Sequence, residues 1–296
     1  MSKPSSRKIA HFHLSSEWKN PEIRKLGPFI VELRQRLRDG QTLSMTSRAY
    51  RKGFSPRILP EHSIEIRRSG TPILFVLSLS QINAWIGILF MIGSALFISG
   101  STMSLFQIPQ QTLNALTYFI GSIFFTLAAY IQYFQAINTD HFAKDAPETA
   151  ERKRWFDWQP KHLGFWITFT QFIGTLLFNI NTFNPFWVQT RFQENLFVWA
   201  PNIQGSILFM ISGTLAMMEI CKGRVWCWKP REIEWNLTFI NFLGCIAFLL
   251  SALLAFSNPY PLLKEKWIYS DGFTLIGAIC FFTGAYLTLS EAGKNA

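Results

Sequence analysis

The sequence predicts an all-α membrane protein: a six-transmembrane-helix bundle built from three helical-hairpin repeats, preceded by a basic cytoplasmic N-terminal region. Three observations support this fold class. Residues 69–139 contain no Asp, Glu, Lys or Arg, whereas a soluble core of that length would need a charged, solvated face. Six apolar segments have nearly the length of a membrane span. A stretch of 21 residues also recurs in similar form 70 positions later in the chain.

The N-terminal region, residues 1–71, contains 15 Lys and Arg residues. Within it, Gly27-Pro28 followed by FIVELRQRLRDG predicts a short helix, because proline suits a first helical turn and Gly40 suits a helix end. The apolar side of this helix would consist of Ile30, Val31, Leu33 and Leu37. We expect this basic amphipathic helix to lie on anionic lipid, with a solvated tail as the alternative. Nucleic-acid binding is not expected.

The membrane domain is predicted to cover residues 72–291, followed by a short tail, residues 292–296. Its apolar segments are residues 82–99, 112–137, 163–178, 203–219, 237–256 and 272–289. Lipid offers no partner to backbone polar groups, so these segments should be helices. They pair into hairpins over residues 82–137, 163–219 and 237–289.

The distribution of Lys and Arg predicts the orientation of the spans. The N-terminal region, the even loops and the tail carry 25 of these residues, and the odd loops carry 3. The positive-inside rule therefore places both termini in the cytoplasm, in a multi-pass protein of the inner membrane. Membrane lipid is the expected partner. A protein partner is possible, and the oligomeric state is left open.

The duplicated line predicts an internal repeat. Residues 158–178, WQPKHLGFWITFTQFIGTLLF, and residues 228–248, WKPREIEWNLTFINFLGCIAF, are identical at seven of 21 positions. The predicted interfacial anchors are Trp158, Pro160, Trp228 and Pro230. Glycines that should allow close helix packing are Gly93, Gly121, Gly174, Gly205, Gly244 and Gly277. Three parallel hairpins of this kind predict pseudo-threefold symmetry about an axis along the membrane normal.

Two sets of polar residues recur in the repeats. Gln171 and Asn241 align, and they would either bond across helices or line a polar path; the first interpretation is favoured. Gln135, Glu219 and Glu291 each follow a span glycine by 14 residues, which is about 21 Å along a helix. We therefore expect the carboxylates of Glu219 and Glu291 to be solvated helix ends at headgroup depth, rather than a site within the membrane.

The four cysteines are read as ordinary thiols. Cys245 and Cys280 fall inside spans. Cys221 and Cys227 lie in a loop that we place in the cytoplasm, so a structural disulfide is not expected between them. Their spacing and the few histidines do not indicate a metal site, and no cofactor is expected.

Several lines of the sequence resemble a known family. NAWIGILFMIGSALF, GSIFFTLAAYIQYFQAIN, WNLTFINFLGCIAFLLSALLAF and FTLIGAICFFTGAYLTLSE resemble bacterial multispan integral membrane proteins of unknown function labelled YrhK-like. The preceding SRAYRKG is also similar to such proteins. The resemblance covers residues 47–291. It implies a bacterial inner-membrane protein and brings no catalytic residues.

The predicted function is that of a polytopic inner-membrane protein without evident catalytic chemistry, structural or partner-binding, whose specific role is unknown. The alternative is a transporter or channel for a small neutral solute along the pseudo-threefold axis. A wet, polar axis would favour transport, and a dry axis would favour the structural role. A membrane enzyme ranks last, because the second loop offers only His141, Asp145, Asp157 and His162.

Overall fold

The computed structural model describes residues 7–9, 12–14, 18, 20–54, 56–59, 82–139, 152–256 and 266–294. Residues 60–81, which include the predicted start of the membrane domain, and residues 295–296 lie outside this part. The described strands are β1 (Arg7–Ile9), β2 (Phe12–Leu14), β3 (Glu22–Leu26), β4 (Phe29–Arg36), β5 (Thr42–Thr46) and β6 (Arg57–Leu59). A short helix, α1 (Ser47–Arg51), follows β5.

Long helices make up the rest of the described chain, so the fold is mostly helical. They are α2 (Ile82–Leu105), α3 (Gln111–Ile137), α4 (Leu163–Phe183), α5 (Arg191–Ile220), α6 (Ile233–Leu254) and α7 (Lys266–Lys294). Within the described residues, all six are long and apolar enough to cross a membrane. The prediction of a multi-pass membrane protein with six spans is confirmed at this level.

The six long helices form a closed ring. Each helix packs against the next in chain order, and α7 packs against α2. Side chains that cross the axis join helices that are not ring neighbours. Phe97 of α2 lies 6.0 Å from Phe248 of α6, measured between ring centroids. Phe178 of α4 lies 5.9 Å from the same ring.

Six buried rings meet in this way at the centre of the bundle, and we call them the phenylalanine layer: Phe97, Phe125, Phe178, Phe209, Phe248 and Phe281. Each hairpin contributes two of them. Within the second hairpin the Phe178 and Phe209 centroids are 5.1 Å apart, and within the third the Phe248 and Phe281 centroids are also 5.1 Å apart. Such tilted and edge-on contacts are favourable for aromatic pairs.

Next to the phenylalanine layer, glycines let the two helices of each hairpin approach closely. A Cβ added to Gly93 would lie 3.0 Å from the carbonyl oxygen of Gly121. A Cβ added to Gly174 would lie 3.1 Å from the carbonyl oxygen of Gly205, and one added to Gly244 would lie 3.2 Å from that of Gly277. A side chain at these positions would therefore push the helices apart.

The N-terminal region forms an antiparallel sheet in the order β3-β4-β5-β6, and the predicted amphipathic helix is wrong. Residues 29–36 are strand β4, and Gly27-Pro28 is the turn of a hairpin, with Gly27 at φ +54°. A bulge explains the error, because Arg24 pairs with Glu32 and Lys25 with Ile30, which leaves Val31 unpaired. The bulge breaks the alternation of a strand, so the apolar residues mimic helical spacing.

Val31 also ties this sheet to the membrane helices. It is fully buried against Leu163 and Ile167 of α4. On the other side of the sheet, a separate apolar core consists of Phe12, Trp18, Ile30, Leu33, Leu43, Met45, Ala49, Tyr50 and Phe54. The sheet therefore packs on one end of the bundle, which we call the rim side.

Cys221 and Cys227 form a disulfide, so the expectation of free thiols is wrong for this pair. Two consecutive residues with left-handed backbone, Lys222 at φ +55° and Gly223 at φ +88°, reverse the chain directly after α5. This turn brings the two cysteine Cα atoms to 5.4 Å, which is within bonding range.

Candidate functional site

Helix α1 is placed at the rim side by the sheet that precedes it. Strand β5 runs directly into α1, and the hydroxyl of Thr46 caps it by accepting from the backbone N–H of Ala49 at 3.1 Å. The helix carries Arg48 and Arg51, and Lys52 follows at its C-cap. These three cations point into the end of the six-helix ring.

Glu291, at the end of α7, binds two of these cations. The guanidinium of Arg48 donates to both carboxylate oxygens, one of these bonds being 3.0 Å long. Lys52 Nζ donates to Oε2 at 2.5 Å. Only 1% of Glu291 is exposed. Burial lowers the pKa of Arg48, but the charge of Glu291 outweighs it, so this pKa lies above its usual value.

Glu219, at the end of α5, binds the third cation. Arg51 donates from both terminal nitrogens to the two carboxylate oxygens at 3.0 Å, and Ser47 Oγ donates at 2.8 Å. Only 3% of Glu219 is exposed. The expectation that Glu219 and Glu291 are solvated is therefore wrong. Both lie at helix ends, as the spacing predicts, but α1 covers those ends.

Gln135 occupies the corresponding end of α3 and is also buried. Its Nε2 donates to Asn83 Oδ1 at 3.1 Å. Asn83 Nδ2 in turn donates to the carbonyl oxygen of Lys52 at 3.0 Å. The first hairpin thus binds the backbone at the end of α1, while the other two hairpins bind its cations.

The residues that begin α2, α4 and α6 also meet the N-terminal region. Asn83, Gly164 and Glu234 each lie ten residues before the packing glycine of their helix. A Cβ on Gly164 would lie 2.5 Å from a guanidinium nitrogen of Arg51, so this position must be small. Glu234 accepts from Arg57 of β6. Contact with the N-terminal region therefore extends around the whole rim.

A further ion pair joins the sheet to the turn after α5. Lys222 Nζ donates to Glu32 Oε1 at 2.9 Å, and Ser44 Oγ donates to the same oxygen at 2.8 Å. Burial raises the pKa of Glu32, but the hydrogen bond and charge of Lys222 outweigh it, so this pKa lies below its usual value. The disulfide and this ion pair lie on the same turn.

An axial cavity of about 120 Å³ lies between α1 and the phenylalanine layer. Phe209 and Phe281 line its floor, and the cations of α1 line its mouth. Polar side chains on its walls come from all three hairpins: Gln132, Thr168, Gln171, Ser212, Thr238 and Asn241. The aligned Gln171 and Asn241 therefore face one shared cavity.

A second cavity, of about 200 Å³, lies on the other side of the phenylalanine layer. Phe97, Phe178 and Phe248 line it, together with hydroxyl groups and the carboxylate of Asp271. Asp271 accepts a hydrogen bond from Ser104. The axis thus has two polar cavities separated by an aromatic barrier.

The predicted interfacial anchors lie at the rim side in equivalent arrangements. Trp158 and Trp228 are 56% and 67% exposed. Their ring centroids lie 5.1 Å from Phe165 and 4.9 Å from Trp235, which are aligned positions. The backbone oxygens of Pro160 and Pro230 each accept a hydrogen bond from the side-chain N–H of the residue six positions later. Exposed aromatic rings of this kind suit contact with lipid.

Two of the residues named for an enzyme, Asp157 and His162, lie in the described part of the chain and both bond to Gln159. Asp157 accepts from Arg154 and Gln159, and His162 Nδ1 lies 2.9 Å from Gln159 Oε1. Among the described residues, no three His, Cys, Asp or Glu side chains lie close enough to bind a metal. His141 and Asp145 lie outside the described residues.

Sequence reasoning missed Arg48, Lys52 and Asp271 as parts of polar sites. The SRAYRK segment was visible in the sequence, but its carboxylate partners, Glu219 and Glu291, lie more than 160 residues away. No family model matches this chain, and neither a curated protein nor a solved structure matches it. The likeness to YrhK-like proteins therefore stays a hypothesis.

Proposed function

We propose that this chain is a polytopic protein of the bacterial inner membrane, without catalytic chemistry, whose role is structural or partner-binding. The phenylalanine layer is the observation that supports this choice. Its rings touch across the axis, so the bundle has a dry aromatic centre instead of a continuous aqueous path. A closed centre suits a scaffold that presents its rim and sheet to a partner.

The proposal includes three hairpin repeats about a pseudo-threefold axis. Each hairpin has a facing glycine pair and a pair of layer phenylalanines. Each also ends in a buried Gln or Glu at the rim. These shared features favour descent from one hairpin, with the rim adapted separately in each copy.

We also propose that the rim side faces the cytoplasm, because the basic loops lie on this side and the positive-inside rule places such loops in the cytoplasm. The cysteine pair offers a direct test, because the cytoplasm keeps thiols reduced. The structure pairs Cys221 with Cys227, so a cytoplasmic rim requires that this bond be reduced in the cell, and a membrane-permeant alkylating reagent should then modify both thiols in intact cells without added reductant. If both become reactive only after a reductant is added, the rim faces an oxidising compartment and the orientation is reversed.

Solute flux tests the proposed function. In liposomes containing the purified protein, glycerol and urea should permeate no faster than in protein-free liposomes. A double variant, Phe178→Ala with Phe248→Ala, would remove two rings from the phenylalanine layer. Phe192→Ala is the matched control, because the Phe192 side chain is 75% exposed. Faster permeation through the wild-type protein would overturn the structural proposal.

The second candidate is a transporter or channel for a small neutral solute. The two cavities on either side of the layer favour it, because they would need only a movement of aromatic rings to join. Flux that appears only in the double variant would leave the wild-type protein closed. Flux in the wild-type protein, lost on cross-linking α1 to the rim, would identify a gated path.

A further inference from the structure

The axial cavity has an unusual distribution of charge. Among the described residues that line it, the charged side chains are all cations: Arg48, Arg51 and Lys52. The carboxylates of Glu219 and Glu291 bind these cations from the rim and do not line the cavity. The charged groups that face the cavity are therefore positive.

Within the described residues, the cations of α1 also outnumber the carboxylates that bind them. Arg48, Arg51 and Lys52 have side chains that are 7%, 12% and 11% exposed, and they share Glu219 and Glu291. Glu234 is engaged by Arg57. Three buried cations that share two carboxylates leave a net positive charge that is costly to bury, so one more negative charge is expected near Lys52. Burial, with the charge of Arg48, lowers the pKa of Lys52 to about 8, which agrees with this deficit.

The amides of the cavity provide neutral hydrogen-bonding groups. Thr168, Thr238 and Ser212 already donate to backbone carbonyl oxygens, at 2.8, 2.7 and 2.7 Å. Gln132 Oε1 is buried and has no hydrogen-bond partner in the described part of the chain. This oxygen is an acceptor and cannot bind an anion directly, so the cavity would also hold a water that donates one hydrogen to Gln132 and the other to the guest.

We infer that the axial cavity binds a small monovalent anion between the cations of α1 and the amide side chains of the three hairpins. Lys52 supplies the uncompensated positive charge, and Gln171 and Asn241 donate N–H groups from facing helices. The anion would bind between α1 and the bundle and so would stabilise the docked position of α1. This site does not require that any solute crosses the phenylalanine layer.

Bromide is a suitable probe, and gluconate, which is too large for the cavity, is the reference anion. Thermal unfolding of the full chain in detergent is measured in sodium bromide and sodium gluconate at equal ionic strength. Bromide should raise the wild-type Tm by about 3 °C or more, with saturation as its concentration increases. Lys161→Met, at an exposed lysine outside the cavity, should keep the whole shift.

Lys52→Met should lose the bromide shift, and Gln171→Leu should weaken bromide binding about tenfold while leaving α1 in place. The sign of the Lys52 effect is informative, because Lys52→Met should be at least as stable as wild type in gluconate. In bromide the wild-type protein should be the more stable. An absent wild-type shift, or an equal shift in Lys52→Met, would mean that the cavity contains only water and that the inference is wrong.

Discussion

The first hairpin differs from the other two at one position of the rim. Glu219 and Glu291 end the second and third hairpins and bind the cations of α1. Gln135 ends the first hairpin and, through Asn83, donates a hydrogen bond toward the backbone oxygen of Lys52. The end of a helix carries partial negative charge, so a carboxylate at position 135 would repel it. The three hairpins therefore differ where they contact α1, which is itself an asymmetric segment.

The largest effect is expected when a charged rim position is made neutral. Glu291→Gln leaves Arg48 and Lys52 buried without their carboxylate, which should lower the free energy of unfolding by about 3–5 kcal/mol. Thermal or denaturant unfolding in detergent measures the loss. Glu194→Gln, at an exposed carboxylate of α5, should change stability by less than about 0.5 kcal/mol. Equal effects would mean that α1 is not docked on Glu291.

A second prediction concerns the feature that all three hairpins share. In Gly174→Ala the new Cβ would lie 2.7 Å from the Phe209 ring and 3.1 Å from the oxygen of Gly205, so a loss of about 1–3 kcal/mol is expected. Gly272→Ala in α7 meets no atom within 4 Å and should be neutral or slightly stabilising. If Gly174→Ala proves as harmless as Gly272→Ala, the close approach within the second hairpin is wrong.

A third prediction exchanges the amide at position 135 and the carboxylate at position 291, which end the first and third hairpins. Gln135→Glu removes the donor to Asn83 and should cost about 1–3 kcal/mol. Combining it with Glu291→Gln should not restore stability, because the cations of α1 face α7. The exposed Gln111→Glu serves as the control in the same unfolding assay. Rescue in the double variant would show that the rim positions are interchangeable.

The fourth prediction is a pH dependence from Lys52. Its pKa is lowered to about 8 in the folded protein from 10.5, so between these values the unfolded chain binds more protons. The contribution of Lys52 to stability should therefore rise with pH from about 8 to about 10.5. Lys52→Met removes this contribution, so the difference between the two unfolding free energies, plotted against pH, checks it. A flat difference would mean that Lys52 is solvated.

Spans and helix contacts could be read from the sequence because both depend on local composition. Lipid leaves helix as the only choice for long apolar segments, and the six predicted spans correspond to six helices. Gly93 and its five equivalents were recognisable because small residues recur beside phenylalanine. These patterns need no knowledge of distant partners.

The rim could not be predicted, because its contacts join distant parts of the chain. The spacing correctly put Glu219 and Glu291 at helix ends, but nothing nearby indicated that α1 would cover them. Strand β4 was missed because one bulged residue, Val31, disturbs its alternation. The disulfide was missed because it depends on left-handed backbone at Lys222, a residue type that seldom adopts it.

The contact between Arg48 and Glu291 joins residues that are 243 positions apart. At about 5–20 residues per second, a ribosome needs roughly 12–50 seconds to reach Glu291 after it has made Arg48. During this time α1 has emerged with its cations unmatched, and the last span completes its binding site. A chain that stops early, or whose last span fails to insert, would keep α1 exposed. The rim thus couples the order of synthesis to completion of the fold, so a protease that recognises free α1 would remove only unfinished chains.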